Sequence, residues 1–267
     1  GVPTAIRRIT AALLISKNKS DFTSHLLPFN YALGVHGGIN TVVNTFRNGT
    51  YKYITQPQQK SKRPTRALIS LDIRNMFNAV SRHKLREIIA TDFPHLQPIA
   101  DSLYATTHYA KYKNLDGEWE TIEVAEGFTQ GCPFSPLFAG LVLTHILRKI
   151  NAELLLRAAD RKRIGIYLDD ENGGEPIIMA YVDDTNCLLP IEDVEFFLDQ
   201  FKHYGEPLGA VMNTDKTRIL TSTNGSTTIP LHLAHNRELG TSLSNAIMKY
   251  SRNGDEMHEE TNGLRIL

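Results

Sequence analysis

With 267 residues, 41% hydrophobic and 22% charged, the chain has the make-up of a soluble globular protein large enough to bury a substantial core. Its 29 basic and 29 acidic side chains cancel, which argues neither for nor against a nucleic-acid partner, because distribution outweighs the sum. No apolar run reaches the length of a membrane-spanning helix, no secretory signal opens the chain, and Cys132 and Cys187 lack the paired spacing of a zinc site.

Two lone cysteines fit a reducing, intracellular compartment. The chain opens on Gly1 rather than methionine and stops on Leu264-Arg265-Ile266-Leu267, so it reads as a fragment truncated at both ends. Residues 4–17 carry Ile6, Ile9, Leu13 and Leu14 on one face with Arg7 and Arg8 beside it, the pattern of an amphipathic helix. Residues 26–48 are richer in glycine (Gly34, Gly37, Gly38) before a helical pattern resumes through Ile39, Val42 and Val43. The polar stretch 56–66 holds Lys60, Lys62, Arg63 and Arg66, and is open to two readings, a solvated loop or a phosphate-backbone contact.

Ala67-Leu68-Ile69-Ser70-Leu71 reads as a short apolar strand ending in Asp72. Ser81 is placed to cap a helix that turns Leu85, Ile88 and Ile89 inward and stops near Pro94. After a short helix at 99–105, the Asp116-Gly117 turn predicts a hairpin between 109–112 and 119–122. A loop at 126–136 leads into a long buried helix to about Arg161, with Ser135 as its cap and Pro136 at its first position. The basic end of that helix, 161–163, complements the helix dipole.

Residues 164–168 and 176–181 read as strands, and Asp169, Asp170 and Glu171 as the solvated tip between them. Residues 185–189 form the return strand beyond Asp183-Asp184. A helix after Pro190 turns Val194, Phe197, Leu198 and Phe201 inward and ends near Gly205, and 211–221 reads as a strand with Lys216 within it. Residues 222–261 are polar and weakly patterned. Strands alternating with helices predict an α+β fold, an antiparallel sheet packed on helices.

Tyr181-Val182-Asp183-Asp184 puts adjacent carboxylates in a turn at the end of an apolar strand, an odd arrangement for stability alone. Nucleotidyl transfer needs two divalent ions, and magnesium takes hard oxygen ligands, usually a few carboxylates plus water and phosphate. Asp72 and Asp183, on strands ending side by side, would supply such a bridge. Asp184 is secondary, because neighbours in extended chain point to opposite faces. Gly127 and Gly131 let the backbone approach a ligand, with Gln130 between them able to align a base or sugar by hydrogen bonding. Phe77, five residues beyond Asp72, is either a core aromatic or a block to a 2′-hydroxyl. Lys216 is either solvated or a proton donor to pyrophosphate.

In that order, the parts resemble the reverse transcriptase family, especially enzymes of non-long-terminal-repeat retrotransposons. Residues 71–82, from Leu71 through Asp72 and Phe77 to Arg82, are similar to its first palm motif. Gly127-Phe128-Thr129-Gln130-Gly131 with the following Cys132-Pro133-Phe134-Ser135-Pro136-Leu137 is similar to the second, Ala180 through Asp184 to the third, and residues 209–216 to the fourth. The resemblance implies a right-hand polymerase with fingers at 1–66 and again around 106–130, a palm over 67–267, and no thumb within the fragment. It also implies Asp72, Asp183 and Asp184 at two magnesium ions (manganese as a substitute), and Phe77, Gln130, Gly131, Tyr181 and Val182 at the incoming dNTP. Lys216 would be the proton donor. The implied partners are an RNA template and a DNA primer, with no membrane; protein partners are not indicated. The setting is intracellular, nuclear for a eukaryotic element. A decayed nucleic-acid-binding remnant and an RNA-directed RNA polymerase are the alternatives; the intact carboxylates disfavour the first, Phe77 the second.

Overall fold

The computed structural model describes residues 4–55, 66–167, 170 and 173–221. The basic run 60–63, Asp169, Glu171 and the weakly patterned 222–261 lie outside the described residues. The chain starts with helix α1 (Ala5–Lys17), capped by the Thr4 hydroxyl, then α2 (Lys19–Leu26) and α3 (Gly38–Thr50). Strand β1 (Arg66–Leu71) leads to a single turn, α4 (Met76–Ala79), then α5 (Arg82–Asp92) and α6 (Gln97–Tyr104). The hairpin β2 (His108–Lys113) and β3 (Trp119–Val124) precedes α7 (Phe134–Arg163). Strands β4 (Ile177–Tyr181) and β5 (Asp184–Pro190), helix α8 (Val194–Gly205) and strand β6 (Arg218–Thr221) complete the described chain.

The sheet is antiparallel with order β4-β5-β1-β6, so β1 and β5 are its central strands. Alternation explains why β1 reads as an unbroken apolar run. Ala67, Ile69 and Leu71 join the main core with Leu141, Leu147, Phe197 and Phe201 of α7 and α8. Leu68 faces the other way, into a smaller core with Val42 and Phe46 of α3 and Leu188 and Leu220 of the sheet. Fifteen residues of α7 are buried, from Phe134 to Ala158, which fits the expectation of a buried helix. No described helix is long and apolar enough to cross a membrane.

Several local expectations are met. Ser81 caps α5 by accepting from the Lys84 amide, and Leu85, Ile88 and Ile89 are buried. The inward residues of α8 are all buried. Others are corrected. Ser135 does not cap α7: the helix starts at Phe134, and the Ser135 hydroxyl donates back to the Thr129 carbonyl at 2.6 Å, tying down the preceding loop. Residues 164–167 form a turn rather than a strand, with Gly165 and Tyr167 both at positive φ. Only 218–221 of the stretch 211–221 is strand; Lys216 sits on a turn before it.

Arg66 and Asp170 are corrected most sharply. Arg66 is no loop cation: its side chain is fully buried, and Nη2 donates to Asp170 Oδ2 at 2.7 Å. Asp170 is no hairpin tip either. It accepts from the Tyr53 hydroxyl at 2.7 Å and from the Gly174 amide at 3.0 Å. A charge pair this deep needs further hydrogen bonds: Arg66 Nη1 also donates to the Glu175 and Leu188 carbonyls at 2.7 and 3.3 Å, while its Nε has no partner among the described residues. The end of α7 is likewise pinned, since Arg161 donates to both oxygens of the buried Asp193.

Candidate active site

Strands β4 and β5 meet in a two-residue turn, Val182-Asp183, closed by the Tyr181↔Asp184 pair. Such turns match the twist of the strands when their first central residue has positive φ, a place usually taken by glycine. Here a β-branched residue occupies it: Val182 has φ 60°. A non-glycine residue held this way costs about 1–3 kcal/mol and persists only where its surroundings overdetermine it. Those surroundings are visible. Asn30, 1% exposed, donates from Nδ2 to the Val182 carbonyl at 2.8 Å, while the Phe29 and Tyr31 backbones bond both sides of Ala180.

Asp72 lies just beyond β1 and is clamped through its backbone. Its carbonyl accepts from the Asn213 amide at 2.8 Å, and its amide donates to the Thr217 hydroxyl at 3.4 Å. The neighbouring Ile73 forms a bridge with Met212. Thus the segment resembling the fourth motif is wrapped around the one resembling the first. Gly209 makes this approach feasible, because at φ 76° a Cβ there would lie 1.8 Å from the Ala79 carbonyl oxygen.

The register brings the carboxylates together. Leu71 pairs with Thr185, so one step further Asp72 lies across from Asp184. Burial raises the pKa of Asp183 above the usual carboxylate value; its own backbone amide offsets part of this, and the charge of Asp72 adds to it. For Asp184 burial again acts first, followed by the charges of Asp183 and Asp72. Alternation therefore does not set Asp184 apart, since Asp183 occupies the turn and Asp184 begins the strand. Among the described residues no three of His, Cys, Asp and Glu close into a preformed metal cage. An open set of mutually repelling, half-buried carboxylates nevertheless fits a magnesium-type ion, which completes its shell with water and phosphate oxygens.

The second segment packs beside the first. The Gly127 amide donates to the Val80 carbonyl at 3.0 Å, and the Phe128 amide to that of Phe77 at 2.6 Å. Gly127 is closely packed on the side where a Cβ would point. At φ 74° a Cβ there would lie 2.3 Å from the Asn78 carbonyl, so glycine is required for packing. Gly131, at φ 81°, and Gln130 are exposed. Phe77 is half-buried against the core, in the single turn between Asp72 and this loop. Lys216 is exposed on its turn, its amide bonded to the Asn213 carbonyl. Asn30 and Thr217 are the positions that sequence reasoning missed: their partners lie 152 and 145 residues away, and neither residue type announces its contact.

A family model described as "Reverse transcriptase (RNA-dependent DNA polymerase)" matches residues 32–239. Among solved structures, apo telomerase from Candida tropicalis is similar at TM-score 0.52 and 15% identity, covering 82% of this chain and 36% of that one. Telomerase from Candida tropicalis in complex with a TWJ fragment of telomeric RNA is similar at TM-score 0.51 and 16% identity, covering 82% and 34%. The chain thus spans about a third of the length of these structures, and at such identity the likeness is one of fold. No curated protein matches the chain.

Proposed function

The chain belongs to the reverse transcriptase (RNA-dependent DNA polymerase) family, and from that premise we propose that it copies an RNA template into DNA for a retroelement of the non-long-terminal-repeat type. The observation that carries this reading is the approach of Asp72, Asp183 and Asp184 at the end of two central strands, where burial first and their neighbouring charges second raise the pKa of Asp183 and Asp184.

Asp72 and Asp183 would hold two divalent ions, with Asp184 beside them. When bound, magnesium would acidify the primer 3′-hydroxyl and neutralise the charge of the departing pyrophosphate. The chain's own residues supply position. The Val182 turn presents Asp183, and the Asn213 and Thr217 clamp fixes the backbone of Asp72. Gln130 and Gly131, exposed on their loop, line the approach of the incoming dNTP, and Tyr181 and Val182 border it from the turn. Phe77 blocks a 2′-hydroxyl. Lys216 donates a proton to pyrophosphate. In this reading 1–66 and an excursion around 106–130 serve as fingers and 67–267 as palm, in an intracellular setting with an RNA template and a DNA primer.

Primer extension on an RNA template with magnesium tests the proposal. Deoxynucleotides should be incorporated and ribonucleotides largely refused. Asp183→Asn should abolish extension while template binding remains. Undiminished synthesis by that variant would refute the metal assignment, and equal use of ribonucleotides would refute DNA synthesis as the function.

A further inference from the structure

Helix α1 is apolar on two opposite sides. Ala11 is its buried residue, and Leu14 and Ile15 pack partly on the main core. The stripe that the sequence marks as an inner face points mostly the other way: Ile6, Ile9 and Leu13 are 78%, 61% and 66% exposed. Three large aliphatic side chains on one face differ from the scattered single hydrophobics of an ordinary surface, and a helix apolar on both sides suits cover on both. No described residue covers the outer one. The helix that presents it is well fixed. The Thr4 hydroxyl accepts from the Arg7 amide at 3.3 Å, and at the other end Asn18 donates to the Leu14 carbonyl from both its backbone and its side chain, at 3.1 and 2.9 Å. Asn18 Oδ1 also lies 2.8 Å from His95 Nε2, which ties that end to the turn after α5.

Spacing and charge identify what fits there. Ile6, Ile9, Leu13 and Ser16 recur at intervals of three, four and three, the a and d positions of a two-stranded coiled coil, and Ala11 falls at f, opposite that seam, where the core takes it. Ala5 and Ala12, exposed at g, leave room for a second helix to come close. The rim is cationic: Lys17 lies at e beside Leu13, Arg8 stands three and four residues from Ala5 and Ala12, and residues 4–20 contain no carboxylate. A second copy of this helix would set one all-cationic rim against another, in either direction of pairing. A lipid surface would find no tryptophan or tyrosine on α1 to anchor at its headgroups. Bases would find no aromatic ring to stack on. A helix with an aliphatic seam and an acidic rim matches both the spacing and the charge.

We propose that the Ile6–Ile9–Leu13 face of α1 is a docking seam for an amphipathic helix of a partner protein, aliphatic at its own a and d positions and acidic at the positions beside them. Ile9 and Leu13 are the anchors, and Arg8 and Lys17 select the partner by charge. The seam goes beyond the polymerase reading and stands without it, since α1 carries none of the carboxylates or loop residues assigned there.

The probe is a fluorescein-labelled synthetic peptide of about 20 residues, long enough to form a helix, with leucine at a and d and glutamate at e and g. Its binding is followed by fluorescence anisotropy, beside a twin peptide with lysine in place of glutamate. The acidic peptide should bind saturably, and the lysine peptide about tenfold or more weaker. Ile9→Glu and Leu13→Glu should each weaken the acidic peptide about tenfold or more, as loss of a central anchor does. Both side chains are exposed, so thermal melts of these variants should match the wild type and separate lost docking from lost folding. Arg8→Glu combined with Lys17→Glu should exchange the preference, so that the lysine peptide now binds the tighter. Absence of saturable binding by the acidic peptide would overturn the proposal, as would equal affinity for the two peptides. Self-association of the wild type that Ile9→Glu abolishes would make the face a contact between copies instead. Binding to phosphatidylserine vesicles that the same substitution abolishes would make it lipid-facing, and either result refutes a partner helix.

Discussion

Phe77 is fixed by its backbone and half-free in its side chain. Its carbonyl accepts the Phe128 amide at 2.6 Å, and its ring packs only partly on the core. A core aromatic of this size is usually buried on all sides, as Phe46 and Phe197 are here. The remaining exposed face is what a sugar gate requires. We expect Phe77→Ala to reduce discrimination between deoxy- and ribonucleotides by about ten- to a hundredfold in kcat/KM, the range over which pocket shape rejects one small group. The comparison is the ratio of the two substrates on one template. A loss of thermal stability with the ratio unchanged would return Phe77 to packing alone.

At the scale of elements, the Val182-Asp183 turn depends on a segment remote in sequence. The loop after α2 lays Phe29, Asn30 and Tyr31 beside β4, and Asn30 closes the contact on the strained Val182. Asn30→Asp keeps the shape but removes the donor. Since a misplacement of about 1 Å in a reacting group can cost a hundredfold, we expect kcat in primer extension to fall about a hundredfold. Template affinity should change little, and an unaltered kcat would show that the turn holds itself. This dependence also marks what the sequence could reveal. The cap at Ser81, the inward face of α8 and the apolar strand before Asp183 are written locally, in spacing and residue type, and were legible. Helix α2 escaped notice because it is polar and buries only Phe22 and Leu26. Residues 164–167 looked like a strand because Ile164, Ile166 and Tyr167 favour extended chain, but the chain turns at Gly165 and Tyr167. The three carboxylates could be placed at strand ends; the Asn30, Asn213 and Thr217 contacts that hold them arise only from tertiary packing.

Across the whole molecule, the Arg66–Asp170 pair ties the start of the central strand to the chain beyond α7, 104 residues away in sequence. Its charge makes this tie depend on pH. Burial alone would raise the Asp170 pKa, but hydrogen bonds from Arg66 and Tyr53 outweigh it and hold the carboxyl below the usual aspartate value. The unfolded chain therefore takes up this proton first as acid is added. The contribution to stability is complete above the unfolded aspartate value of about 3.9 and is lost as pH falls through the lower folded value. Asp170→Asn removes the titration and leaves a buried guanidinium without its counter-charge, which costs about 3–5 kcal/mol. Thermal melts from neutral pH down to about pH 3 should then differ in shape between the two proteins. The wild type should be far more stable at neutral pH, and its advantage should shrink in the acid range. Parallel curves would mean that Asp170 binds its proton equally in both states, and that the pair holds these elements by shape and hydrogen bonding rather than by charge.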